Sequence, residues 1–373
     1  MDNNHLKYLP LLCRPAKLLF LVVFSILVLL AGRDDKAEEP KVEQNTTQIR
    51  QDPASFSAVP PREFPPSPTT TSGTKRQGRA PAITHITKYL AGEDPEFAKQ
   101  CGWPIKCPQP LTGSILPNKR IVAYYGNPLS KRMGVLGESS KEDMIRRLNS
   151  EIERWEKADP SHPVQPALHL IAVVAQGEPG QAGKYRMIMP DKIVNDVYSW
   201  AKEANAIMFI DIQTGHDDIR NLLPRFEWML KNADVHLAID PEFNLIGSGK
   251  RPGSKIGTYD AAEINYASAF LQNIVKKYTI PPKILIVHRF TRNMVTNAKE
   301  ITYRPEVQVV MNMDGWGAPW LKRNSYKEYI VKEPVQYTGF KLFYHNDTKR
   351  GDPLLTPQDV LRLNPSPIYI QYQ

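Results

Sequence analysis

Cysteine is scarce: 3 among 373 residues, too few for a scaffold held by disulfides instead of a core. Clustered positive charge is also lacking. The net charge of +9 is spread along the chain: residues 1–32 carry +2 (three Lys/Arg against one Asp), residues 33–83 carry +1 (eight against seven), and the remaining +6 is diluted over residues 84–373. No Lys/Arg run is interleaved with aromatics, so nucleic acid is not an expected partner. There is no collagen repeat, no heptad pattern and no series of long apolar runs, which excludes fibrous and multi-span membrane classes. A glycine-rich phosphate turn is missing too. The first strand-like run is followed by Gly126-Asn127-Pro128-Leu129-Ser130, which is not a dinucleotide fingerprint. That run holds no His-x-His pair, so neither a bound metal nor another cofactor is expected.

What is present is ordinary globular composition, 41% hydrophobic and 23% charged, with an excess of proline, 33 residues. Residues 18–32 (LLFLVVFSILVLLAG) are uncharged, follow Lys7, Arg14 and Lys17, and precede the acidic stretch from Asp34 to Glu39. Positive charge before and acid after orient the bulk of the chain outward. The run is short for a span and suits a signal segment. No small residue stands three places before a cleavage point at Ala31 or Gly32, so 1–32 is expected to be an uncleaved signal anchor in the cell membrane, with secretion after cleavage as the alternative. Residues 33–83 hold eight prolines and no apolar periodicity, the composition of a disordered spacer. Residues 84–118 form a transition segment. Its Cys101 and Cys107 are spaced for a small disulfide loop in an exported chain.

From residue 119 to 373 short β-branched or aromatic runs recur at Arg120–Asn127, His169–Gln176, Ile207–Gln213, Val235–Glu242, Ile284–Phe290, Val307–Asp314, Thr338–Tyr344 and Pro367–Tyr372. Amphipathic helical patterns separate them, one opened by Ser140 with Asp143 three residues on, the last by Thr356-Pro357. Eight strands alternating with helices predict an α/β fold, a (β/α)8 TIM barrel that lacks the usual last helix. Residues 84–118 are expected to cover that gap or plug the floor.

Alternation along each strand then sorts the side chains. With bulky aliphatics facing the helices, Asp211, Gln213, Asp240, Glu242, Asn312, Asp314, Lys341 and Gln371 face the mouth. Parity leaves His288 against Arg289, and Tyr124 against Tyr125, undecided. Acids at the C-terminal strand ends are where this architecture builds active sites. Asp240 and Glu242 are one residue apart, close enough to couple, so that one carboxyl stays protonated beside an ionised partner. Glycosidic cleavage needs that division of labour. Trp316 and Trp320, in DGWGAPW after the sixth strand, are candidates to stack on sugar rings.

Two resemblances add to this reading. The segments KRIVAYYGNPLS, HLAIDPEF, VVMNMDGWGAPWLKR and GFKLFYHNDT resemble an uncharacterised group of exported bacterial proteins, many of them predicted lipoproteins; this implies the barrel and export, and no activity. Locally, Asp240-Pro241-Glu242 resembles the end of the chitinase-type glycoside hydrolase signature D-x-x-D-x-D-x-E, in which the last Glu is the acid and the preceding Asp orients the substrate. The two earlier acidic positions are Val235 and Ala238, which do not match. Met311-Asn312-Met313-Asp314 is similar to that family's M-x-Y-D with Met313 in place of Tyr.

The expectation is therefore an exported, membrane-tethered barrel acting on an extracellular or envelope glycan, or another small polar substrate. Glu242 would be the general acid/base, Asp240 its partner, and Asp211 or Asp314 the second carboxylate. Lys341, Arg289, Trp316, Trp320, Asn312, Gln213 and Tyr125 would hold substrate. Two alternatives stand: a non-catalytic barrel that binds glycan or protein, with Asp240 and Glu242 locked in ion pairs to Lys341 or Arg289, and a metal-dependent hydrolase built on Asp211, Asp240, Glu242 and His288.

Overall fold

A computed structural model describes residues 88–373. The anchor expected over 1–32 and the spacer over 33–83 lie outside the described residues. Among the described residues no helix is long and apolar enough to cross a membrane.

Eight parallel strands close into a barrel: β1 (Arg120–Gly126), β2 (Val164–Ala175), β3 (Ile207–Ile212), β4 (Val235–Ile239), β5 (Lys283–Arg289), β6 (Val307–Met313), β7 (Tyr337–Leu342) and β8 (Tyr369–Tyr372). Each pairs with the next, and β8 pairs with β1 through Ile121↔Tyr369 to Tyr124↔Tyr372. All eight runs read from the sequence are strands, because each is β-branched or aromatic and bounded by turn residues. The second begins five residues earlier than its apolar run suggests, at Val164. A ninth strand, Arg186–Ile188, adds antiparallel to β2.

Helices alternate with the strands. Helix α1 (Pro95–Cys101) precedes the barrel; α2 (Lys141–Ala158), α3 (Asp191–Glu203), α4 (Ala261–Tyr278), α5 (Pro319–Tyr326) and α6 (Pro357–Leu361) pack around it. The Ser140 hydroxyl caps α2 by accepting from the Asp143 N–H, and a Thr356/Asp359 capping box opens α6. Between β3 and β4 the chain makes only broken helical turns, Ile219–Leu222 and Glu227–Leu230, interrupted at Pro224.

The outward strand faces (Val122, Leu168, Ile210, Leu237, Leu285, Val309, Phe340 and Ile370 among them) form one core with the helices. The inward faces form a second, smaller core of Ile121, Ala123, Ala167, Ile207, Phe209, Ala238, Ile284, Ile286, Val310 and Tyr369. Leu116 closes its floor. Its N–H donates to Gln308 Oε1 (3.2 Å) and its carbonyl accepts from Gln308 Nε2 (2.6 Å). The transition segment does plug the barrel, as expected. Ile368, a bulky aliphatic of the last run, joins this inner core because it precedes β8 and escapes its alternation.

At the β8–β1 seam Trp155 of α2 is fully buried, with Nε1 donating to the Tyr372 hydroxyl (3.0 Å). The segment before the barrel reaches α5 and α6 through Glu93, which is buried and paired with Arg323 (3.3 Å) and Arg362 (2.7 Å).

The expected disulfide is not formed: Cys101 and Cys107 are free. Cys101 ends α1 and packs on the outer core. The Cys107 thiol instead bonds Gln336, and burial, the larger effect, raises it.

Candidate functional site

The lower lumen is mostly apolar, apart from the buried His236 and Gln308, and the upper lumen is not. Above Phe209, Ala238, Ile286 and Val310, the same inward positions of the strands carry His169, Asp211, Asp240, His288, Asn312, Lys341 and Gln371, each at most 3% exposed. This places seven expected residues together: Asp211, Asp240, Asn312, Asp314, Lys341, Gln371 and, through its amide, Gln213. Tyr125 joins them and Tyr124 does not; the Tyr124 hydroxyl pairs with that of Tyr344 on the outer side. Gly339, the inward residue of β7 below Lys341, leaves the room that this crowding needs. A Cβ there would stand 2.7 Å from Asn312 Oδ1 and 2.9 Å from the Tyr369 ring.

At the centre is His288. Its Nε2 lies 3.3 Å from Asp211 Oδ2 and its Nδ1 3.1 Å from Asp314 Oδ2. Burial alone would lower its pKa. The two carboxylates outweigh burial and push it up to about 10. Burial likewise opposes ionisation of Asp211, but His288 and His169 hold its carboxyl well below the usual range. His169 has one carboxylate neighbour instead of two, Asp211 Oδ2 at 3.3 Å from its Nε2. Burial wins there and lowers the ring to about 4. Its Nδ1 meets the Tyr369 hydroxyl (2.6 Å) and the Gln371 amide (3.0 Å). Lys341 Nζ sits 3.8 Å from the centre of the Tyr125 ring and 3.9 Å from Asp314 Oδ2. Burial lowers its pKa against the pull of the surrounding acids.

The two acids that follow β4 are different. Asp240 Oδ1 accepts from the Glu242 N–H (3.0 Å) and Oδ2 from Gln213 Nε2 (3.4 Å), and neither acid makes an ion pair among the described residues. Burial pushes Asp240 up to about 7; Asp314 and Asp211 add to this while His288 and Lys341 oppose it. Glu242 is one step further out and partly exposed. Burial, then the charges of Asp240 and Asp314, raise it well above the carboxylate range. Its backbone is clamped where Gly257 N donates to the Glu242 carbonyl (2.6 Å), closing the neck of the loop over 243–258.

Three expected binding residues are not brought to this centre as the sequence reading had it. Arg289 follows His288 on β5 and so points the opposite way. It is buried outside the barrel, with Nη2 on Glu333 (2.6 Å) and on the Arg292 carbonyl (2.7 Å). Trp320 is 66% exposed and lines a groove with Leu90, Ala91 and Pro319 on the outside of the fold. Trp316 is partly buried in the loop after β6, and no polar contact ties it to the lumen.

Sequence reading also missed residues. His169 lies at what looked like the start of its strand, where no preceding residue gave its parity; a lone imidazole inside an apolar run was the available signal. Tyr369, whose hydroxyl meets His169 Nδ1, is another missed residue. Lys322 of α5 was not singled out at all. It is 1% exposed, donates to the Gly315 and Lys341 carbonyls (both 2.7 Å) and pairs with Asp347 (3.0 Å). Asp347 in turn accepts from the Gly317 and Phe343 N–H groups (2.9 and 3.0 Å). This pair fixes the loops that follow Asp314 and Lys341. Among the described residues, His169, Asp211 and His288 bring their ligand atoms close enough to hold a metal, within 4.8 Å of one another.

The raised Asp240 carboxyl has a consequence for stability. A folded pKa near 7 against about 3.9 in the unfolded chain means that the folded state binds more protons between these values. Stability therefore falls as pH rises through that window, and the penalty is complete above it. Asp240→Asn keeps the acceptor for the Glu242 N–H and removes the titration. Urea denaturation is expected to find it equal to wild type near pH 4 and more stable by roughly 2–4 kcal/mol above pH 7. A stability difference that does not change with pH contradicts the assignment.

No family model matches the chain, and no curated protein matches it in sequence.

Proposed function

We propose that the barrel is a hydrolase that cleaves glycosidic bonds in an extracellular or envelope glycan by carboxylate acid/base chemistry. One observation carries this: Asp240 and Glu242 stand at the mouth without a cation, their pKa values raised, while Asp314 in the same lumen is paired with His288 and Lys341. A buried carboxyl with no cation keeps its proton. A glycosidic oxygen needs a proton as it leaves, and the developing positive charge on the sugar ring needs an anion. Glu242, the outermost of the acids and partly exposed, is the proton donor in this reading. Burial above all keeps Glu242 protonated, and Asp240 holds it through the Glu242 N–H. Asp314 supplies the second carboxylate. Lys341 and Gln213 are left to position polar groups of the substrate. The alternative of a purely binding barrel expected Asp240 and Glu242 to be locked by Lys341 or Arg289; Arg289 is engaged outside the barrel and Lys341 meets Asp314, which favours the catalytic reading.

Glu242→Gln keeps size and removes the proton. On a panel of aryl glycosides and envelope polysaccharides it is expected to lower kcat by about 10²–10⁴-fold with KM little changed. Turnover equal to wild type removes Glu242 from the mechanism.

In the same proposal residues 18–32 tether the barrel to the cell membrane with the C-terminal bulk outside. Protease added to intact cells is expected to digest the barrel and to leave a membrane-bound N-terminal fragment. Full protection of the barrel in intact cells contradicts export.

A further inference from the structure

We infer that His169, Asp211 and His288 form a binding site for one first-row divalent transition-metal ion, of the zinc class, in the upper lumen. The inference stands on the lumen geometry and is independent of the glycan reading.

The three side chains come from β2, β3 and β5, and all are fully buried. His169 Nε2 and His288 Nε2 each lie 3.3 Å from Asp211 Oδ2. Zinc bonds of about 2.0–2.1 Å in a tetrahedron put neighbouring ligand atoms about 3.3–3.4 Å apart. Two of the three edges therefore have the length of a coordination edge, and the third, between the two imidazoles, closes within 4.8 Å. The contacts lack the geometry of hydrogen bonds: His169 Nε2, His288 Nε2 and both Asp211 oxygens have no hydrogen-bond partner although they are fully buried. Four orphaned polar atoms around one point are a large cost for a native core. A cation bound by all three side chains removes it.

The surroundings fit the same ion. A metal on Nε2 requires the proton on Nδ1, held by an outer acceptor. His288 Nδ1 faces Asp314 Oδ2 at 3.1 Å, a carboxylate–histidine arrangement. His169 Nδ1 faces the Tyr369 hydroxyl at 2.6 Å and the Gln371 amide at 3.0 Å. A half-turn of the Gln371 amide offers its oxygen to that N–H, and a matching half-turn of Asn312 turns its Oδ1, which now has no partner, toward Gln371 and His288. Each outer group then has a consistent role. Two imidazoles and one carboxylate are a borderline donor set that suits zinc, iron(II) or cobalt(II) over calcium or magnesium. Three protein ligands leave one position open, the arrangement of a catalytic and not a purely structural site.

The test uses full-length protein stripped with a chelator and then titrated with Co²⁺, whose visible bands report tetrahedral or five-coordinate binding. The expected result is one Co²⁺ per chain, displaced by one Zn²⁺, with a melting temperature that rises with Zn²⁺ concentration. His169→Gln and Asp211→Asn, confirmed folded by circular dichroism, should weaken Co²⁺ binding by about 100-fold or more. Asp314→Asn, which touches only the outer nitrogen of His288, should weaken it by about 10–100-fold. The wild-type readouts stand even where a variant does not fold. No Co²⁺ bands and no Zn²⁺-dependent melting shift overturn the site, and so does equal affinity in folded His169→Gln and Asp211→Asn.

Discussion

The contact of His288 with two carboxylates is the constraint around which the lumen is arranged. An imidazole between Asp211 and Asp314 in a space closed to water must either carry a proton or share a cation, because two buried anions without one are too costly. The environment pushes its pKa up to about 10. The same burial acts on every other titratable group there, with results that depend on what each one touches. Asp211, with two histidines, is lowered; His169, with one carboxylate, is lowered to about 4; Asp240, with no ion pair, rises to about 7. One field thus gives three protonation states within one lumen, and that separation makes an acid and an anion available together. A metal ion at Asp211 would take the place of the proton on His288 and leave the outer ring of acceptors in use.

The rest of the barrel maintains this arrangement. Strand alternation brings the acids and their cations to the same end, because the lower layers are filled mainly by Phe209, Ile284, Ile286 and Val310 and sealed by Leu116, with His236 and Gln308 the polar groups among them. Gly339 leaves space for Asn312 and Tyr369 where any larger residue would push both aside. Lys322 and Asp347, a buried pair behind the wall, hold the loops that carry Asp314 and follow Lys341. Such a pair adds little net stability against an apolar replacement, but removing one partner strands the other in the core. Its value lies in fixing position.

The barrel was legible because its strands are short, β-branched and separated by amphipathic helices, a pattern set by local chemistry. The lumen-facing set was legible wherever bulky aliphatics marked the opposite face, as in Val235, Leu237 and Ile239 against Asp240. It failed where both faces carried polar groups. His288 and Arg289 are adjacent, and only the pairing of His288 with Asn312 across β5 and β6 decides between them. His169 was hidden because the Val164–Leu168 stretch, interrupted by Gln165 and Pro166, does not read as a strand and concealed the true start of β2. The cysteine spacing suggested a bridge that the fold does not make, because α1 directs Cys101 to the outer core while Cys107 turns to Gln336. Trp320 shows the limit of composition: it stands in the first turn of α5 on the outer surface, away from the lumen.

The central claim is that the lumen sorts its carboxyls into protonated and ionised sets. Carbon-13 titration of aspartate carboxyls in the metal-stripped protein addresses it directly, with Asp240→Asn and Asp211→Asn spectra to assign the signals. The account predicts one aspartate signal, that of Asp240, titrating near pH 7, and one, that of Asp211, unchanged down to the onset of acid unfolding. If both carboxyls titrate in the ordinary range near 4, the lumen does not divide its protons and the account is wrong.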